Sequence, residues 1–345
     1  MKIIGDINLK GDKSISHRAL MIASMCRGES LIENLPSSYD ILSTINCLKD
    51  TGIEIDFNDS SAIVHGGTFN VPLENLNCQN SGTSMRLLSG LYSSMKIPVT
   101  LHGDSSLNSR PMNRIINPLS KMGTVIKSNN GTAPISLTKF NPIPIIYDIS
   151  IPSAQIKSCL ILASMSMKDK NIIRQNTPTR NHLELLIDSV SNNAIEYNSN
   201  KILINPEASK SLNAFNIFIP GDISSASYLI GLAVLLKGSE LIINNLLLNT
   251  LRTGFIDTLM SMGANIKIDN LETIRNEKVG RVIVKGDRNL NPCTISKEKI
   301  PRMIDEIPIL ALICAHTKGR SVIGGLEELR HKESDRLLGI YNILL

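Results

Sequence analysis

The amino-acid sequence predicts an α/β protein made by repeating one unit: helix, strand, helix, strand, strand. Three observations support this. A helix with a small polar start and an apolar body occurs five times. A second helix that stops at Gly or Asn occurs four times, and two alternating strands joined by turn residues follow each of those stops. Successive copies are about 70 to 80 residues apart, the spacing of an internal repeat.

The first helices run from Ser14 to Cys26, Ser81 to Ser93, Ser153 to Met167, Ser224 to Leu236 and Asp305 to Ala315. Each precedes a strand: SLIENL, PVTLHG, NIIRQN, ELIINN and RSVIGG. Ser and Asp at these starts are N-cap residues, and the bodies keep apolar side chains over about three turns. The second helices end at Gly52, Gly123, Asn193 and Gly263. A left-handed residue just past a helix explains the choice, because Gly adopts it without steric cost and Asn is the usual substitute. Asn58-Asp59 and Asn129-Asn130-Gly131 suit tight turns between the strands that follow. A fifth second helix is expected to begin near Lys332, and Leu345 comes about one turn before the next stop is due. The chain is therefore expected to be truncated relative to its own repeat.

Composition narrows the partners. The chain carries a net charge of +5, but only 3% of its residues are aromatic and it has no Trp. Stacking surfaces for single-stranded nucleic acid are scarce, so small anions fit the mild basicity better than a nucleic-acid partner does. No apolar run reaches the roughly 18 residues of a membrane span, and no signal core follows the first lysine, so the expectation is a cytoplasmic protein with no membrane association. The six cysteines show no zinc spacing and read as reduced core thiols. There is no GxxxxGK[ST] loop and no GxGxxG after a strand, and the histidine spacing supports no metal site.

Chemistry-bearing residues concentrate at the helix starts. The first copy begins Gly11-Asp12-Lys13-Ser14-Ile15-Ser16-His17-Arg18, the second Asn80-Ser81-Gly82-Thr83-Ser84-Met85-Arg86, and the third Ser153-Ala154-Gln155-Ile156-Lys157. A helix N-terminus presents free N–H groups and about half a positive charge, which favours an anion by roughly 0.3 to 2 kcal/mol. Capping alone would explain the Ser and Asp residues. Lys13 at such an end is unfavourable unless an anion joins it. Pro111 defines the backbone at Arg110 just before a helix. Lys332 and Arg336, four apart, suggest a shared anion if they lie on one helical face.

In the order GDKSISHRAL, NSGTSMRLLSG, SLNSRPM, PSAQIKSCLILA, PGDISSASYLI, IDEIPILAL and LEELRHKESDRL, these segments resemble the enolpyruvyl transferases, and within them the 5-enolpyruvylshikimate-3-phosphate synthase family. The resemblance implies a two-lobed inside-out α/β barrel. Residues 13–220 would form a first lobe of three repeats, and residues 1–12 with 221–345 a second, incomplete lobe. It also implies transfer of the enolpyruvyl group of phosphoenolpyruvate to the 5-hydroxyl of shikimate 3-phosphate with release of phosphate, on the route to chorismate and the aromatic amino acids. No metal or organic cofactor is implied, and the family is usually monomeric.

Carried over by motif, Lys13, Ser14, Arg18, Ser153, Ala154, Gln155, Arg180, Asp305 and Lys332 would bind shikimate 3-phosphate. Lys13, Gly82, Arg110, Gln155, Glu333 and Arg336 would bind phosphoenolpyruvate. Asp305 would act as base, Glu333 as the acid at the methylene carbon, and Lys13 as a further catalytic group. Gly82 implies a pocket that admits glyphosate. The family pattern continues beyond the point matched by Leu345 with an Asp-His-Arg segment and another basic residue, so a weakly active or inactive ligand-binding remnant is the alternative reading. The sister transferase acting on UDP-N-acetylglucosamine is less similar, since its loop before Arg-Pro carries a reactive Cys and Gly103 to Arg110 has none.

Overall fold

The computed structural model describes residues 1–286 and 289–345, which divide into two compact units: residues 13–219, and residues 1–12 with 220–345. In the first unit the helices Lys13–Met25, Gly82–Met95 and Ala154–Ser164 are buried along nearly their whole length. Their sequences explain this: Ser, Gly and Ala alternate with Leu, Ile and Met, leaving no charged face to turn toward water. Ser81 and Ser153 cap two of them, accepting from the backbone N–H groups of Ser84 and Ile156. Small residues let backbones approach. A Cβ on Gly90 would lie 2.1 Å from the carbonyl oxygen of Cys159 in the neighbouring helix.

The second helices are amphipathic. Tyr39–Asp50 buries Ile41, Thr44, Ile45 and Leu48, an i, i+3, i+4, i+7 spacing that makes one helical face. The expected left-handed stops are present at Gly52 (φ +91°), Gly123 (φ +88°) and Asn193 (φ +61°). Asn130 and Gly131 also have positive φ, 50° and 84°, as a two-residue hairpin turn requires.

Three four-stranded sheets surround these helices. Their strand orders are 216–218, 28–33, 61–66, 54–58; then 76–77, 99–102, 132–140, 124–129; then 146–149, 171–175, 201–204, 195–197. The first neighbours in each are parallel and the rest antiparallel. The repeat thus has one strand more than the sequence predicts: a short parallel edge strand beside the strand that follows each buried helix. Leu76–Asn77, Ile146–Ile149 and Asn216–Phe218 are two to four residues long, too short to display an alternating pattern. The first sheet takes its edge strand from the far end of the unit, where Asn216 pairs with Leu31 and Phe218 with Glu33.

The other unit follows the same plan. Ile4–Asn8 runs parallel to Glu240–Leu247, which pairs antiparallel with Glu277–Lys285 and through it with Asn265–Ile274. Helix Ile223–Leu235, capped by Asp222, packs its Ile230, Ala233 and Val234 into this unit's core. Gly263 supplies the fourth left-handed stop at φ +96°. Thr294–Ile295 and Val322–Ile323 form a parallel pair, with helix Ile307–Ala315 between them in the chain. The last helix is Arg336–Leu344, capped by Asp335, so Lys332 lies ahead of it in extended backbone and not on the expected helical face. None of this helix's residues is buried. No helix among the described residues is long and apolar enough to cross a membrane.

Candidate active site

In the unit of residues 13–219, side chains at the three helix starts bond to one another. Arg18 is buried; its Nη1 donates to the carbonyl of Ser14 at 2.8 Å, and its Nη2 to the hydroxyl of Ser158 at 2.8 Å. This joins the first and third helices. Arg86 donates to Gln155 Oε1 at 2.9 Å while Gln155 Nε2 donates to Thr83 Oγ1 at 2.9 Å, joining the second and third. The hydroxyls of Thr44 and Ser84 lie 2.7 Å apart, and Thr44 also meets His17 Nδ1 at 2.8 Å. Burying this many polar atoms is tolerable because they bond to one another.

The cations are placed by this network. Arg110 is buried beside the second helix start, where it donates to Asn80 Oδ1 and, at 3.3 Å, to Ser106 Oγ. Asn80 also donates to Asp104 at 2.6 Å. The Leu107 backbone N–H, the Asn80 amide and the Arg110 charge together hold the Asp104 carboxyl below its ordinary range. A Cβ on Gly82 would sit 2.6 Å from Arg86 Nη1 and 3.4 Å from Arg110 Nη1, so two guanidinium groups border a position with no side chain. Lys13 is half exposed and pairs with Asp40 at 2.6 Å. Asp40 thus supplies a protein carboxylate to the cation at this helix start. Ser153, Ala154 and Gln155 begin the third helix, all partly exposed. Arg180 follows buried Thr179, whose carbonyl accepts from Lys157 of that same helix.

In the other unit, Asp305 lies in a short turn before helix Ile307–Ala315. Its Oδ1 is 3.1 Å from Arg336 Nη1 and 3.5 Å from Lys332 Nζ. Asp305 thus pairs with both cations, which reach it from two separate pieces of backbone. Arg336 also donates to Glu333 at 2.7 Å. Burial disfavours the Arg336 charge, but Glu333 and Asp305 outweigh it and keep the guanidinium pKa above its ordinary value. Deeper in this unit, buried Arg252 donates to buried Asp12 at 2.9 Å and to Ser224 at 2.9 Å, and Ser224 donates to Glu306. Burial disfavours the Arg252 charge, but the nearby carboxylates of Asp12, Glu306, Asp222 and Asp305 outweigh that cost.

The arrangement of these polar and cationic groups goes with a match to a known family. The family model described as EPSP synthase (3-phosphoshikimate 1-carboxyvinyltransferase) matches residues 1–344. The chain belongs to the EPSP synthase family. A 3-phosphoshikimate 1-carboxyvinyltransferase of Caldicellulosiruptor saccharolyticus is 42% identical over 344 residues, covering 97% of this chain and 78% of the relative. One from a Thermoanaerobacter species is 42% identical over 336 residues, 96% of this chain and 78% of the relative. Among solved structures, EPSP synthase of Acinetobacter baumannii superposes with a TM-score of 0.88 at 33% identity, over 99% of this chain and 78% of that one. The enolpyruvyl transferase NikO of Streptomyces tendae, at 16% identity and a TM-score of 0.69 over 94% of this chain and 76% of that one, shares the fold.

Membership of the EPSP synthase family accounts for the seven ordered motifs together. Arg86 lies in the second helix start, but the sequence assigned it no role of its own. It stands one helical turn after Gly82, and a cation on the same face as that glycine was the available signal.

Proposed function

We propose that this chain catalyses the reaction of its family: attack of the 5-hydroxyl of shikimate 3-phosphate on C2 of phosphoenolpyruvate, followed by loss of phosphate to leave the enolpyruvyl ether. The observation that carries the reading is the bare Gly82 bordered by the guanidinium groups of Arg86 and Arg110. That arrangement suits the carboxylate and phosphate of a small, doubly anionic substrate. In this reading Lys13, Gly82, Arg110 and Gln155 hold phosphoenolpyruvate, with Glu333 and Arg336. Lys13, Ser14, Arg18, Ser153, Ala154, Gln155 and Arg180 hold shikimate 3-phosphate, with Asp305 and Lys332.

Asp305 takes the hydroxyl proton as the C–O bond forms. Glu333 gives a proton to the methylene carbon of phosphoenolpyruvate and recovers one when phosphate departs, so no net proton stays on that carbon. Fixed cations offset the charge that develops during addition and elimination. No metal or organic cofactor takes part in this reading, which places the protein in the cytoplasm and in a family that is usually monomeric.

The test is a phosphate-release assay on the purified protein with both substrates, combined with detection of the ether product. The expected result is one phosphate per ether formed, and a fall of about 10² to 10⁴ in rate for Asp305→Asn. Failure to form the ether, with no measurable affinity for shikimate 3-phosphate, would sink the reading.

A further inference from the structure

We propose that Lys157, which the mechanism above does not use, is a positioning residue that holds Arg180 for shikimate 3-phosphate. The proposal rests on the functional reading just given. Lys157 is on the helix that begins at Ser153, two residues beyond Gln155, and its side chain is 0% exposed. Its Nζ pairs with Glu184 Oε1 at 2.7 Å and donates to the carbonyl of Thr179 at 2.9 Å. Glu184 is as buried as its partner, at 2% exposure, and belongs to helix His182–Val190.

A buried ion pair is poor evidence of stabilisation, because the cost of desolvating both charges offsets much of their attraction. Apolar residues of similar size often do as well or better. What apolar residues cannot supply is a donor to the Thr179 carbonyl. Thr179 is the only buried residue in the segment 176–181, and its hydroxyl and carbonyl are both engaged: the hydroxyl donates to Gln175 Oε1 at 3.1 Å, and the carbonyl accepts from Lys157. The carbonyl of Thr179 and the N–H of Arg180 share one rigid peptide plane. Fixing that oxygen sets the plane through which the chain enters Arg180. Because Lys157 and Gln155 share one helix, it also ties Arg180 to the Ser153-Ala154-Gln155 start. Glu184 neutralises the ammonium so that it can remain dry.

The test compares the parent with the double variant Lys157→Met, Glu184→Leu, which removes both charges together. The KM for shikimate 3-phosphate is expected to rise about tenfold or more, the loss that follows when a charged hydrogen-bonding group is no longer held in place. The KM for phosphoenolpyruvate and kcat are expected to stay within about threefold, and the melting temperature not to fall. Equal rises in both KM values, or no rise in either, would overturn the proposal. Glu184→Gln is the milder second variant: it leaves Lys157 donating to Thr179, so the KM for shikimate 3-phosphate should stay close to the parent's, and a tenfold rise there would also overturn it. If the parent turns over neither substrate, the functional reading fails, but the tie itself is still measurable. Trypsin should cut after Arg180 several times faster in the double variant, and an unchanged rate would refute the tie.

Discussion

Gly90→Ala tests whether close helix contact holds the candidate site together. The added Cβ would stand 2.1 Å from the Cys159 carbonyl, against the roughly 3 Å that real contacts need, so the two helices must separate by about 1 Å. Alanine improves helix propensity by about 1 kcal/mol, which favours the variant. Overpacking a buried contact costs about 1 to 3 kcal/mol. The same separation carries the 2.9 Å bond between Arg86 and Gln155 toward 4 Å, beyond hydrogen-bonding range, for about 1 kcal/mol more. The net expectation is a loss of about 1 to 3 kcal/mol, together with weaker substrate binding, because the bond lost lies at the helix starts. Urea unfolding measures the first effect and KM values the second. Gly339→Ala is the control. A Cβ there meets nothing within 4 Å, and the residue lies inside an exposed helix, so a gain of up to about 1 kcal/mol is expected. A Gly90→Ala protein as stable as the parent, with unchanged KM values, would refute the reasoning.

Gly82→Ala should raise the KM for phosphoenolpyruvate and the inhibitory concentration of glyphosate by about tenfold or more, the usual effect of one methyl group in a tight pocket, read from steady-state kinetics. Arg252→Met should cost about 3 to 5 kcal/mol in chemical denaturation because it strands the buried Asp12 carboxylate, and adding Asp12→Leu should restore most of the loss. Burial pushes the Cys159 thiol up to about 12, against 9.0 when unfolded. The unfolded chain therefore releases this proton first as pH rises, and folded stability should fall from about pH 9, by about 1.4 kcal/mol per pH unit, until the folded thiol ionises. Stability measured at pH 8 and 10.5 should show a shallower decline in Cys159→Ala than in the parent; equal declines would count against the assignment.

The repeat was legible in the sequence because its punctuation has a steric cause. Gly52, Gly123, Asn193 and Gly263 all have positive φ, and few other residues adopt that conformation cheaply. The parallel edge strands were not legible, since two to four residues of extended chain carry no periodicity and their partners lie beyond a whole helix. Of the site, the polar helix starts could be read directly, but their pairing could not. Asp40 meets Lys13 across 27 residues and Asp305 meets Arg336 across 31, and no local pattern encodes such contacts. Expecting Lys332 and Arg336 on one helical face assumed one continuous helix, whereas Asp335 caps the last helix at Arg336 and leaves Lys332 in extended chain.

The first sheet's borrowed edge strand has a consequence for synthesis on the ribosome. Strand Gly28–Glu33 emerges early, but its parallel neighbour Asn216–Phe218 follows 185 residues later. At about 5 to 20 residues per second, that is a wait of roughly 10 to 40 seconds with one strand edge unpaired. Strand Ile4–Asn8 waits longer still for Glu240–Leu247. The nascent chain thus spends most of its translation with exposed edges able to pair wrongly, the period in which a chaperone would matter most to this protein.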